Sequence, residues 1–75
     1  MRIWVVDFGD GVERAFTSLE RAYQVAYDQL IDWDYSPEDD WDTKVFDELK
    51  RTYENENCSG FYVDELLWCW EVEVN

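Results

Sequence analysis

Thr17-Ser18-Leu19-Glu20-Arg21-Ala22-Tyr23-Gln24-Val25-Ala26-Tyr27-Asp28-Gln29-Leu30-Ile31 is the stretch on which the fold turns. Its apolar residues Leu19, Ala22, Tyr23, Ala26, Tyr27, Leu30 and Ile31 recur at offsets 0, 3, 4, 7, 8, 11 and 12, the spacing that lines one side of an α-helix. Thr17 is followed three residues later by Glu20, a reciprocal capping arrangement that satisfies orphan amides, so the helix is predicted to begin there. Glu20, Asp28 and Asp32 fall off the stripe toward water. Such a helix needs an apolar surface to cover, and the flanking segments read as a sheet.

Upstream, Arg2-Ile3-Trp4-Val5-Val6-Asp7-Phe8 is rich in β-branched and aromatic residues and stops at Gly9-Asp10-Gly11. Val12-Glu13-Arg14-Ala15-Phe16 resumes the alternation, so residues 2–16 read as a β-hairpin whose turn glycines supply positive φ. Downstream, Ser36-Pro37 fits an N-cap with proline at the first helical position, and Glu38 and Asp39 then sit at the positive end of the helix dipole. A second helix is expected to start near residue 37 or, after a loop, near 42. Its inner face would be Trp41, Val45, Phe46, Leu49 and Tyr53, with Asp47, Glu48, Lys50 and Arg51 outward. The polar run Glu54-Asn55-Glu56-Asn57-Cys58-Ser59-Gly60 ends it. Phe61-Tyr62-Val63 reads as a short strand or lead-in, and Leu66 to Val74 as the last strand. There Trp68, Trp70, Val72 and Val74 share one face while Glu71 and Glu73 end the other, so one face should be buried and one partly wet. The expected fold is α+β in two layers: a small antiparallel sheet of three to four strands with two helices on one face, order ββααβ, all within one domain spanning residues 1–75.

Charge and composition then narrow the function. The 75 residues carry 19 Asp+Glu against 6 Lys+Arg, a formal charge of −13, yet 47% are hydrophobic and 19% aromatic, which argues for a folded core over an acidic disordered tail. Nucleic acids and anionic membranes attract Lys and Arg, so direct binding to either is disfavoured. No apolar run approaches the length of a membrane span. Met1-Arg2-Ile3-Trp4 leads straight to Asp7 and Asp10, unlike a signal peptide, so a cytoplasmic protein is expected. Cys58 and Cys69 are then expected as reduced thiols, with Cys69 in the core.

Catalytic chemistry finds little footing. There is no histidine, and no serine or cysteine stands in a nucleophile motif, so triad and Cys-His mechanisms are absent. Carboxylate pairs are expected by abundance alone among so many acids, and a deep pocket is hard to build at this size. Two cysteines eleven apart without histidine cannot make a structural zinc site. Asp32-x-Asp34-x-Ser36 opens like a calcium loop, but Pro37 stands where that loop needs glycine and Thr43 where it needs glutamate. Asp7-Phe8-Gly9 matches a kinase motif in letters only, since that fold is several times longer. The chain therefore reads as a binding protein without enzyme activity, metal or cofactor.

What remains is the distribution of charge. Asp28, Asp32, Asp34, Glu38, Asp39, Asp40, Asp42, Asp47 and Glu48 lie in a 21-residue stretch whose single basic residue is Lys44. Carboxylates one helical turn apart are separated by about 5–6 Å, a spacing comparable to that of phosphates along a nucleic-acid strand. The aromatics Trp33 and Tyr35 interleave with these acids and read as exposed, as a binding hot spot would require, and Trp41 is open to either reading, inner helix face or exposed member of this group.

The start Arg2-Ile3-Trp4-Val5-Val6, the helix opening Phe16-Thr17-Ser18-Leu19-Glu20-Arg21-Ala22 and the end Trp70-Glu71-Val72-Glu73-Val74 resemble small phage and Firmicute proteins of hairpin, helix and closing-strand layout. As a class, the chain is similar to small, acidic, Trp- and Tyr-rich bacteriophage proteins that occupy the DNA site of host enzymes: CRISPR effector inhibitors, anti-restriction proteins and uracil-DNA glycosylase inhibitors. The resemblance implies phage origin and action in the host cytoplasm, and carries over no site residues. The leading expectation is a DNA-mimicking inhibitor of a basic, nucleic-acid-binding host protein. Its partner-binding residues would be Asp28, Asp32, Trp33, Asp34, Tyr35, Glu38, Asp39, Asp40, Asp42, Asp47 and Glu48. Two alternatives stay open: a small assembly protein whose aromatic surface mediates self-association or protein contact, with charge serving solubility, and an acidic adaptor on a basic ribosomal or chaperone surface.

Overall fold

The computed structural model describes residues 1–11, 13–55, 60–63 and 66–74. Along the chain they form β1 (Arg2–Asp7), β2 (Glu13–Phe16), α1 (Leu19–Asp32), α2 (Thr43–Tyr53), β3 (Phe61–Val63) and β4 (Leu67–Glu73). The strands make one antiparallel sheet in the order β2-β1-β4-β3. The α+β class stands, but Phe61–Val63 is a full member of the sheet, so the order is ββααββ and not ββααβ. Three residues carry too short an alternation to distinguish a strand from a lead-in; the cross-strand pairs Phe61 with Cys69 and Val63 with Leu67 make it one. The hairpin forms as expected on Gly9 and Gly11, with φ of 79° and 80°. Gly9 N–H donates to Asp7 Oδ1 at 2.8 Å, which tightens the turn. Val12 lies outside the described residues, as do Glu56 to Ser59 and with them Cys58.

The long helix forms with its cap displaced by one residue. Ser18, not Thr17, is the N-cap, and its Oγ accepts from Arg21 N–H at 3.3 Å. Ala22, Ala26 and Leu30 are fully buried in one core cluster with Val6, Phe8, Phe61, Val63, Leu67 and Cys69. Ile31, at the end of the stripe, is exposed. The helix ends in a Schellman arrangement: Tyr35 N–H donates to Leu30 C=O and Asp34 N–H to Ile31 C=O, each at 3.0 Å, with Asp34 at φ 70°. Asp34 occupies the left-handed position usually given to glycine, which aspartate tolerates through its short polar side chain.

The second helix begins at Thr43, so Pro37 is not its first residue. Residues 36–42 form turns held by Asp42 Oδ2, which accepts from Ser36 N–H at 2.8 Å, and by Asp39 Oδ1, which accepts from Trp41 N–H at 2.9 Å. Asp39 C=O accepts from Thr43 N–H as well. Trp41 therefore precedes α2 and is 80% exposed instead of facing inward, while Phe46 and Leu49 are buried as the helical spacing predicts. The residue missing from that inner face is Thr52, which is buried. Its hydroxyl accepts from Tyr62 N–H at 3.0 Å and lies 3.0 Å from Tyr62 C=O. One side chain thus closes the outer edge of β3, the edge where another strand could otherwise pair. Thr52→Val, isosteric but without the hydroxyl, should lose about 1 kcal/mol, the net worth of a hydrogen bond to the part-buried Tyr62 backbone. Urea melts would measure this, and an unchanged midpoint would mean water replaces the hydroxyl.

Aromatic side chains join α1, α2 and β3. Tyr23 stacks on Tyr53 with centroids 4.0 Å apart and meets Phe61 edge-on at 6.0 Å, and Tyr27 lies 5.0 Å from Phe46. Burial raises the Tyr23 pKa above its ordinary 10.0, and the nearby Tyr27, Glu54 and Tyr53 add to the shift. The folded state therefore holds this proton more tightly than the unfolded one. Stability from Tyr23 is fully present below about pH 10 and is lost as pH rises through the folded value. Urea midpoints between pH 9 and 11 should fall less in Tyr23→Phe than in the native chain.

Gly60 is needed for a close approach. A Cβ there would overlap the carbonyl group of Cys69 on β4 and come within 3.3 Å of the Trp70 Cα.

Candidate functional site

The helices cover one face of the sheet, and among the described residues no element covers the other. Alternation and register place Phe61, Val63, Leu67, Cys69, Val6 and the half-buried Trp4 on the covered side. Cys69 is thus in the core as expected. Trp68, Trp70 and Val72 take the opposite face with Tyr62, Val5 and Asp7, so the tryptophan face of the last strand is its wet face. Sequence alternation separates two faces without saying which one a helix covers. Here the small residues Ala22 and Ala26 bring α1 close to the sheet, where it lies over β1 and β2, while α2 lies over β3.

The expected acidic run is distributed over α1, the turns and α2. Asp28 and Asp32 are exposed on α1 and accept from Gln24 Nε2 at 3.1 Å and Gln29 Nε2 at 3.4 Å. Asp34, Glu38, Asp39, Asp40 and Asp47 are exposed as well, whereas Asp42 and Glu48 are half-buried. Several of these acids also hold the backbone: Asp34 ends α1, and Asp39 and Asp42 organise the turns. Glu38, Asp40 and Asp47 have side chains without such a duty among the described contacts.

The described ion pairs all lie elsewhere. Arg2 Nε reaches Glu71 at 3.1 Å and Glu73 at 3.6 Å, Arg14 reaches Asp10 at 3.2 Å, and the Met1 ammonium reaches Glu73 at 3.7 Å. Lys44, the one cation inside the acidic stretch, instead sits 5.7 Å from the centroid of the Trp41 ring. Its neutralising charge is thereby directed to an indole face. Among the described residues no three His, Cys, Asp or Glu side chains are grouped to hold a metal ion, and no helix is long and apolar enough to cross a membrane.

Of the three aromatics in the run, Trp41 is the most exposed. Trp33 is half covered by an edge-on contact with Phe8 at 6.0 Å, which sets the acidic turns beside the hairpin end of the sheet. Tyr35 is not exposed as expected. As the residue closing the Schellman arrangement it folds back toward Leu30 and packs on the core. Trp33 and Tyr35 line a shallow hollow of about 420 Å³ with Phe8, Gly9 and Leu66. A second hollow of about 380 Å³ lies on the open sheet face, lined by Asp7, Phe61, Tyr62, Trp68, Cys69 and Trp70. The acidic run pointed away from this second hollow, and only the alternation of Trp68 and Trp70 could have found it. No known family model, curated protein or solved structure matches the chain.

Proposed function

We propose that the chain is a non-catalytic acidic protein that occupies the nucleic-acid site of a basic host protein, its carboxylates standing where phosphates would bind. The observation that supports this most is that no described ion pair neutralises any acid between residues 28 and 48, while the one cation there rests on Trp41. A surface serving solubility alone is best built from interspersed signs. Between residues 28 and 48 this one sets nine acids against the single cation Lys44, and a long-range field of that kind speeds encounter with a basic partner. Targets of fitting chemistry are CRISPR effectors, restriction enzymes and DNA-repair enzymes, met in the host cytoplasm. The test is capture of a partner on the immobilised protein, followed by elution with duplex DNA. Elution by DNA, and binding that weakens steeply with salt, are expected; a partner retained at saturating DNA would place the contact elsewhere.

The assembly reading has its own supporting observation, the exposed Tyr62, Trp68 and Trp70. Pairing two copies brings together two chains of charge −13, which favours an oppositely charged partner over a second copy.

A further inference from the structure

We propose that the open sheet face is an arginine-binding site, in which the side chain of a basic protein segment stacks on Trp68 and Trp70 and pairs with Asp7. This deepens the reading above by naming what the basic partner inserts, and it uses a surface separate from the acidic turns.

The register builds the site. Across the sheet, Glu13, Asp7, Trp68 and Tyr62 form one row of directly opposed residues, and Val5 with Trp70 forms the next. Side chains in such rows share a face and stand about 4.5–5.5 Å apart at Cβ. Two carboxylates therefore continue directly into two aromatic rings, and Trp70 flanks them one row along. Tyr62 and Trp68 are each 42% exposed and Trp70 38%, large apolar surfaces that no other part of the described chain covers. The hollow they frame, about 380 Å³, is open enough to admit a single long side chain.

Charge selects the occupant. Both strand arginines lie on the helix side: Arg14 opposes Val6 and sits 4.9 Å from the Phe8 ring centroid, and Arg2 pairs with Glu71. Among the described residues the open face holds Asp7 and Glu13 and no cation. A plain apolar ligand would leave the Asp7 carboxylate against it without compensation, which is costly. A guanidinium satisfies both features, since it stacks on indoles, is weakly hydrated and offers planar donors to a carboxylate. Lysine would supply the charge but not the planar stack. Asp7 is held for this role by Gly9 N–H at Oδ1.

The experiment titrates the full chain with a capped Gly-Arg-Gly peptide, following the indole N–H resonances, beside a peptide with neutral citrulline in place of arginine. Shifts confined to Trp68 and Trp70 with the arginine peptide, and none with citrulline, are expected. Trp68→Ala should weaken the affinity by about three- to thirtyfold, the range spanned by cation–π contacts. Asp7→Asn keeps the oxygen that accepts from Gly9, so it should weaken binding while the circular dichroism stays native. Equal shifts from citrulline would show an apolar patch only. Shifts at Trp33 and Trp41 alone would move the arginine to the acidic turns. A concentration-dependent dimer abolished by Trp68→Ala would make a second copy the occupant. Each of these three results overturns the proposal. Because no partner protein is present, they leave the acidic reading to its own capture experiment.

Discussion

Leu30→Ala should destabilise the protein by about 2–5 kcal/mol, measured by urea unfolding, while Asp28→Ala two residues earlier should be neutral or slightly stabilising. Leu30 is completely buried, and it is held at two levels. Its side chain fills the space between α1 and the sheet, and its carbonyl accepts from Tyr35 N–H where the chain turns out of the helix. The substitution would open a cavity beside residues that cannot collapse into it, because Ala22 and Ala26 already set the helix close to the strands. A loss of this size is a large share of what a small domain possesses. Asp28 lies on the outer side with one hydrogen bond from Gln24 and many like charges nearby, so its removal mainly relieves repulsion. The opposite ordering of the two variants would mean that α1 turns a different face to the sheet.

The same helix shows what could be read from the sequence and what could not. The repeat from Leu19 to Leu30 specifies a buried stripe because helical geometry ties spacing to direction, and Gly9 and Gly11 specify a turn because few residues other than glycine adopt positive φ. Trp41 went astray for a reason of boundary. It fits a helical repeat with Val45 and Phe46, but the hydrogen bonds of Asp39 and Asp42 hold residues 36–42 in turns and start α2 only at Thr43. Tyr35 went astray because no local composition rule foresees that Asp34 will take a left-handed backbone and send the next residue inward. The acidic stretch was legible as charge, but not the division of labour within it, since an aspartate that caps a turn and one that faces water are identical letters. Tyr62, Trp68 and Trp70 were hardest to place. Which face of a strand is dry depends on where the helices settle, and that is decided by contacts distant in sequence.

Reversing charge at Glu38 and Asp40 together, as Glu38→Lys with Asp40→Lys, should leave folding intact and weaken partner binding by about 2–5 kcal/mol or more. These two are chosen because the structure gives their side chains no hydrogen bond to keep, whereas Asp39 and Asp42 bind the amides of Trp41 and Ser36. Reversal at Asp39 or Asp42 would disturb the turn and confound binding with folding. At Glu38 and Asp40, each attraction to a basic partner would become a repulsion of like charges, and where the contact is dry the loss is largest. The double variant's own stability should rise slightly, because two negative charges are removed and two positive ones added, taking the formal charge from −13 to −9. The paired control is Glu71→Gln with Glu73→Gln. Both acids already face Arg2, at 3.1 and 3.6 Å, so their charge is partly answered within the chain and their loss should change partner binding much less. Rising salt should weaken the native interaction and flatten toward the double variant's affinity, since screening removes the attraction that the variant lacks. If the double lysine variant binds the captured partner as tightly as the native chain, the acids of the turns are solvated charge, and the aromatic sheet face is left as the surface that can hold a partner.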